Sequence, residues 1–162
     1  MNIIWHGHSC FEITGKDGTI VFDPYQANSV PGLNSLKLKA NLVLCSHEHD
    51  DHNARNCVEV APKDFKVTYI ETYHDHHQGS HRGKNTIHIV DFEDLKVVHM
   101  GDIGCMMDDV SKLKNCDVLM IPIGGYYTID TKEALKYIER IQPRIVIPMH
   151  YHSHEFGYDV LS

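Results

Sequence analysis

No stretch of this sequence is apolar for long enough to span a bilayer, so no helical membrane anchor is expected within it. No Lys/Arg-rich run occurs and the formal net charge is −7, which disfavours a sequence-independent grip on nucleic acid. The opening residues Met1-Asn2-Ile3-Ile4-Trp5-His6 lack a basic region and a long apolar one, so no secretory leader is expected. No CxxC pair occurs among the five cysteines, Cys10, Cys45, Cys57, Cys105 and Cys116. Their odd number and their spacing favour reduced, mostly buried thiols and a cytoplasmic location over a disulfide framework. Low-complexity tracts and linkers are missing too. The chain has 162 residues, 42% hydrophobic and 23% charged. It is therefore expected to form one domain over residues 1–162 with a real core.

What is abundant is histidine, with 14 residues. Imidazole is the commonest protein ligand for transition metals, but a solvated His-rich surface gives the same count. Spacing has to decide.

The pattern predicts strands over Met1–Trp5, Cys10–Thr14 and Thr19–Phe22, the last two joined by a hairpin turn at Gly15-Lys16-Asp17-Gly18. Residues 24–40 read as irregular, and a segment that long is often a functional loop. Leu42–Cys45 is a continuous apolar run, as in a strand buried on both faces. A short helix is expected over Asn53–Val60 and a strand over Lys66–Glu71, followed by a loop at residues 73–84. Asn85–Asp91 and Leu95–His99 read as paired strands, Met106–Lys114 as a weak helix, and Val118–Ile121 as a buried strand. Asp130-Thr131-Lys132-Glu133 has the form of a capping box, after which Ala134, Leu135, Ile138 and Ile141 share a helical face. Pro143 ends that helix and Ile145–Ile147 forms the last strand. Hairpins early and strand–helix alternation late imply mixed α/β layers.

The densest chemistry lies in His47-Glu48-His49-Asp50-Asp51-His52, directly after the buried strand, where rigid scaffold meets loop. In an extended or turning backbone, His47 and His49 share one side and can reach one metal. Asp51 and His52 can turn toward a second. So dense and strand-anchored a pattern argues against an exposed polar turn.

His-x-His-x-Asp-His after an apolar strand resembles the metal motif of the metallo-β-lactamase superfamily. Gly101-Asp102 resembles that family's bridging-aspartate motif, Met149-His150-Tyr151 its last histidine, and Asp23 its early structural aspartate. Gly7-His8-Ser9-Cys10-Phe11 and Pro148-Met149-His150-Tyr151 are similar, more narrowly, to a branch of small lactonase-like and phosphodiesterase-like (UPF0173-type) hydrolases. The resemblance spans Trp5 to Tyr151. It implies a four-layer αββα sandwich and a third histidine from the loop at residues 73–84. His74, His76, His77 and His81 are the candidates. His74 is preferred as nearest the strand end, with His76 next. The implied sets are His47, His49 and His74 for one ion, Asp51, His52 and His150 for the other, and Asp102 as the bridge. Oxygen and imidazole donors suit two divalent ions, Zn²⁺ first, with Mn²⁺ or iron also compatible. Asp23 is the expected partner that orients a ligand.

The implied chemistry is hydrolysis of an ester, lactone or phosphodiester in a small molecule by a hydroxide activated between two metals. Asp51 and Asp102 would hold metal and help manage the proton. His8 would lie near the site, to bind substrate or donate a proton. Arg82, with His81, could hold a substrate phosphate or carboxylate, and Tyr126-Tyr127 could line the pocket. The alternatives are phosphodiesterase or nuclease-like action on a nucleotide, and a non-catalytic metal-binding protein. A zinc β-lactamase is disfavoured because Asp102 stands where those enzymes carry cysteine, and Cys105 lies too far along to replace it. A flavodiiron-type oxidoreductase would have glutamate in place of His49. Resembling proteins usually continue beyond the last histidine, whereas this chain stops at Ser162, so it is either a short variant or part of a longer protein. The final sheet edge would then be exposed or covered by another subunit in a homo-oligomer.

Overall fold

Period-two alternation sorts the side chains of the central strands into two different cores. In the computed structural model, which describes residues 1–161, Val97, Val118 and Met120 face one side of their sheet while Val98, Leu119 and Ile121 face the other. Ser162 lies outside the described residues. A four-stranded sheet runs β1–β2–β3–β5, from β1 (Asn2–Gly7), β2 (Cys10–Gly15), β3 (Gly18–Phe22) and β5 (Leu42–Leu44). A five-stranded sheet runs β11–β10–β9–β8–β7, from β7 (Lys66–Tyr73), β8 (Lys84–Phe92), β9 (Leu95–His99), β10 (Val118–Pro122) and β11 (Ile145–Met149).

The sheets meet through Phe11, Ile13, Ile20 and Phe22 on one side and Val90, Phe92, Val97 and Met120 on the other, all fully buried. The outer face of the larger sheet carries α1 (Thr131–Ile141), which inserts Ala134, Tyr137 and Ile141. The outer face of the smaller sheet is covered by residues 25–40 and a two-stranded sheet of β4 (Leu38–Ala40) and β6 (Val58–Val60), around Cys10, Val21, Tyr25 and Val30. These four layers are the expected sandwich. On the smaller sheet's side, loop and short strands take the place of an α-helix among the described residues.

Four local expectations are corrected. Asn53–Val60 is a single 3₁₀ turn, Arg55–Cys57, running into β6, because parallel pairing with β4 captures Val58–Val60. Met106–Lys114 is likewise reduced to a 3₁₀ turn, Ser111–Leu113, with Leu113 buried. The region 24–40 is not wholly irregular, since β4 lies at its end. Leu135 was expected on the apolar face but is 54% exposed; Tyr137 is buried instead, and its hydroxyl donates to Cys105 O. The last strand, β11, lies at a free edge with Ile145 and Pro148 exposed, and a proline there limits further pairing. All five cysteines are free thiols. No helix among the described residues is long and apolar enough to cross a membrane.

The capping box on α1 is complete: Asp130 accepts from Glu133 N, and Glu133 accepts from Asp130 N. Asp130→Ala should therefore lower the unfolding free energy by about 1 kcal/mol, whereas Leu135→Ala should change it by less than roughly 0.5 kcal/mol. Urea unfolding of the two variants checks this, and equal losses would contradict it.

Candidate metal centre

The alternate strands β1, β3, β5, β7, β9 and β11 are followed within three residues by His8, Asp23, His47, His74, Asp102 and His150 respectively. Because β1, β3 and β5 point one way in their sheet, and β7, β9 and β11 one way in theirs, each set of strand ends delivers its residues to one rim. Asp102 sits in the middle, 1% exposed. Its Oδ2 lies 2.9 Å from His150 Nε2, 3.1 Å from His52 Nε2, 3.3 Å from His74 Nε2 and 4.0 Å from His47 Nε2. Donor atoms converge in three overlapping groups, each within 4.8 Å: His47, His49 and His74; His8, Asp51, His52 and His150; and His47, His52 and Asp102.

Hydrogen bonds fix which imidazole nitrogen is free. Tyr127 O can only accept, so His74 Nδ1 carries the proton at 3.1 Å and leaves Nε2 bare. Asp23 Oδ2 accepts from His52 Nδ1 at 2.8 Å. Ser46 Oγ donates to that same Asp23 oxygen at 2.6 Å and accepts from His47 Nδ1 at 2.9 Å. In their neutral forms the three histidines would thus present Nε2 lone pairs to the same space. His47 Nε2, His52 Nε2 and Asp102 Oδ1 are buried without a hydrogen-bond partner. Buried polar atoms normally find partners, so this convergence of unsatisfied lone pairs fits a divalent cation.

Charge follows the same geometry. Burial pushes the His47 imidazole down to about 3, and nearby His52 adds to the effect. Burial also lowers His74. Burial opposes charge on His52 as well, but the Asp102, Asp23 and Asp51 carboxylates around it win and hold it well above the ordinary value. Burial would raise Asp102, Asp23 and Asp51; the adjacent imidazoles, His150 first for Asp102 and His52 first for the other two, hold all three low.

His8 is fully buried, in left-handed backbone with φ 53°, and its Nε2 lies 3.1 Å from Asp51 Oδ2. It touches the donor cluster, and the structure shows no surface of it on which substrate could sit. Burial lowers its pKa to about 4. His76 turns outward, 58% exposed, toward Glu133 Oε1 at 3.5 Å, and His77 and His81 lie against each other with their rings tilted, both exposed. Of the loop histidines, His74 alone is brought to Asp102. Cys105 Sγ faces Tyr73 O, outside the donor groups. A cavity of about 270 Å³ opens over the cluster, with Asp51, His74, Arg82, Tyr127 and Tyr158 in its walls. A larger groove, about 550 Å³, runs beside β7 along Tyr69, Tyr73 and Met107 and contains no such cluster.

Four residues with no sequence motif of their own hold the arrangement. Ser46 couples Asp23 to His47. Asn85 Oδ1 accepts from Asp102 N at 2.8 Å, while its Nδ2 donates to Thr72 Oγ1 and Met100 O. His99 Nε2 donates to Ser9 O and its Nδ1 accepts from Gly101 N, tying the His8 turn to the Asp102 turn. Tyr158 Oη lies 3.2 Å from Asp51 Oδ2 and 2.6 Å from Ser29 O. Gly104 permits close approach, since a Cβ there would lie 2.4 Å from the His74 carbonyl carbon.

Comparison with known proteins gives a consistent result. A family model described as the β-lactamase superfamily domain matches residues 2–150. A UPF0173 metal-dependent hydrolase of Thermoplasma acidophilum is 29% identical, the match covering 94% of this chain and 84% of that protein. A UPF0173 protein of Pyrococcus abyssi is 31% identical over 97% of this chain and 86% of its own length. The first of these alignments runs to 191 positions against the 162 residues here, so the relative carries internal residues that this chain lacks. Among solved structures, one from Thermotoga maritima, named for the zinc-dependent hydrolases of the metallo-β-lactamase superfamily, superposes with a TM-score of 0.72. It has 29% identity, and the match covers 94% of this chain and 76% of that one. The short form of human tRNase Z shares the fold alone, with a TM-score of 0.64, 10% identity, and coverage of 91% of this chain and 86% of that one.

Two predictions follow from this geometry. His74→Ala should abolish tight binding at one metal position, while His76→Ala should leave metal content unchanged; elemental analysis of both variants decides, and the reverse pattern would exclude His74. At pH 7 the metal-free protein holds His52 protonated and His47 neutral. A ligand imidazole must be unprotonated, so zinc uptake should release about one proton through His52. Calorimetry in buffers of different ionisation heat measures this, and a zero dependence on buffer would contradict it. The sign for stability is the same: the raised His52 stabilises the metal-free fold fully below pH 6.5, and that contribution fades as pH rises through its folded value.

Proposed function

The chain belongs to the metallo-β-lactamase superfamily, and from that membership we propose that it is a metal-dependent hydrolase acting on an ester, lactone or phosphodiester bond of a small molecule. The observation that carries this reading is the convergence of three tautomer-fixed imidazoles on the buried Asp102 carboxylate, with donor atoms left unsatisfied. His47, His49 and His74 would hold one divalent ion, Asp51, His52 and His150 a second, and Asp102 would lie between them. Ions of this kind, with Zn²⁺, Mn²⁺ and iron all compatible with the donors, supply an acidified water as nucleophile and polarise the attacked oxygen.

The protein's own residues do the rest. Ser46 and Asp23 orient His47 and His52, and Tyr127 O orients His74. Asp51 faces the cavity as a carboxylate and is placed to take up a proton, while His8 Nε2–H holds its Oδ2. The buried side chains of Asn85, Ser46 and His99 close the donor cluster from behind. The cavity's size favours a small substrate.

The test begins with metal analysis of protein purified without chelator or added metal. Turnover on a panel of lactones, thioesters and phosphodiesters follows. Chelation should abolish turnover and metal should restore it. Asp102→Asn should lose metal and at least about 100-fold in kcat/KM, with the unfolding midpoint of the metal-free protein close to wild type. Full metal occupancy and full turnover in that variant would exclude the two-metal reading.

A further inference from the structure

We infer that Arg82 and Tyr127 form an oxyanion-binding wall beside the donor cluster, and that the substrate carries a carboxylate or phosphate set apart from the bond that is cleaved. This rests on the hydrolase reading above for the word substrate, but the binding site stands on its own geometry.

Arg82 is half-buried and shares the cavity with His74, Asp51 and Tyr127. Its backbone is fixed. The buried Asp75 carboxylate accepts from the N–H groups of His77, Gly79, His81 and Arg82, the last at 2.7 Å, which locks the loop as a closed turn. Its side chain lies beside two aromatic rings, with the guanidinium carbon 5.4 Å from the Tyr127 ring centre and 5.7 Å from that of Tyr126. Among the described residues, no carboxylate pairs with this guanidinium and no hydrogen bond occupies its donors. The contrast within the chain is clear: Arg55 pairs with Glu48, Arg144 with Asp117, and Arg140 caps two carbonyls. A planar fork held on aromatic rings with its N–H groups unspent is preorganised for a planar or tetrahedral oxyanion.

Tyr127 sets the spacing. Its ring carries Arg82 while its carbonyl holds His74 Nδ1, so one residue fixes the guanidinium relative to the donor cluster. Among the residues that line this cavity, Arg82 alone bears a permanent positive charge. In a chain of net charge −7 it provides local compensation for an incoming anion. The cavity holds about 270 Å³, which leaves room for a small anionic group beside the donor cluster.

The experiment measures binding of benzoate, phenyl phosphate and neutral benzyl alcohol to the protein as purified, with metal content determined for each sample. Wild type should bind the two anions in preference to the alcohol, and the tighter of the two identifies the carboxylate or the phosphate source. Arg82→Gln should weaken anion binding about 10- to 100-fold, and Arg82→Lys, which keeps charge but loses the fork, should fall between. Lys84→Gln makes the same change in net charge at a lysine paired with Glu71 and should weaken it less than twofold. No anion preference in wild type, equal weakening in Arg82→Gln and Lys84→Gln, or a loss of metal in Arg82→Gln would each overturn the inference. The same proteins are assayed on matched neutral, carboxylate-bearing and phosphate-bearing esters. Arg82-dependent binding without any turnover would leave the anion wall standing and remove the hydrolase reading. Turnover with no preference for the charged esters would do the reverse.

Discussion

Burying a carboxylate costs on the order of several kcal/mol unless positive charge and hydrogen-bond donors surround it. Asp102 meets that condition only if residues from three loops and one strand close on it together. His52 comes from the first half of the chain, His74 from the loop after β7, His150 from the end of β11, and Asn85 from β8 holds the backbone N–H of Asp102. The two sheets pack through apolar side chains, but their rims are aligned by this carboxylate. A shift of one sheet against the other would take His52 and His47 away from it and leave only the partners from its own sheet.

The alignment is maintained against local strain. His8, Asp23 and His150 all have positive φ, at 53°, 42° and 54°, a region that side chains other than glycine rarely adopt. Each lies immediately after a strand, so the ladder fixes the backbone on one side while the side chain is turned inward. The donor cluster therefore gains its geometry from strands whose packing is ordinary. Other positive-φ residues, such as Asn28, Asn115 and Gln142, lie in turns away from the cluster.

Much of this was legible in the sequence. The His47–His52 segment is contiguous, and its position after an apolar run could be read directly, as could Asp102 and His150 through family resemblance. His74 was chosen by its nearness to a strand end, and strand ends are what the fold uses to aim its donors. Ser46, Asn85, His99 and Tyr158 were not legible, because their roles depend on partners distant in sequence, up to 129 positions for Tyr158 and Ser29, and on no local pattern. The helices expected at residues 53–60 and 106–114 failed for a related reason. Their apolar residues are claimed by strand pairing or by the core under α1, and a 3₁₀ turn suffices to deliver them. Leu135 shows the limit of periodicity, since the buried face runs through Ala134, Tyr137 and Ile141 and leaves it outside.

His150 comes last in sequence among the converging donors, and His8 first. A nascent chain on the ribosome that has not yet released residue 150 can fold its hairpins and expose the His47–His52 segment, but it presents only part of the donor set. Completion of the cluster thus waits on β11, and a product ending before β11 would carry the histidine-rich motif without the site it belongs to.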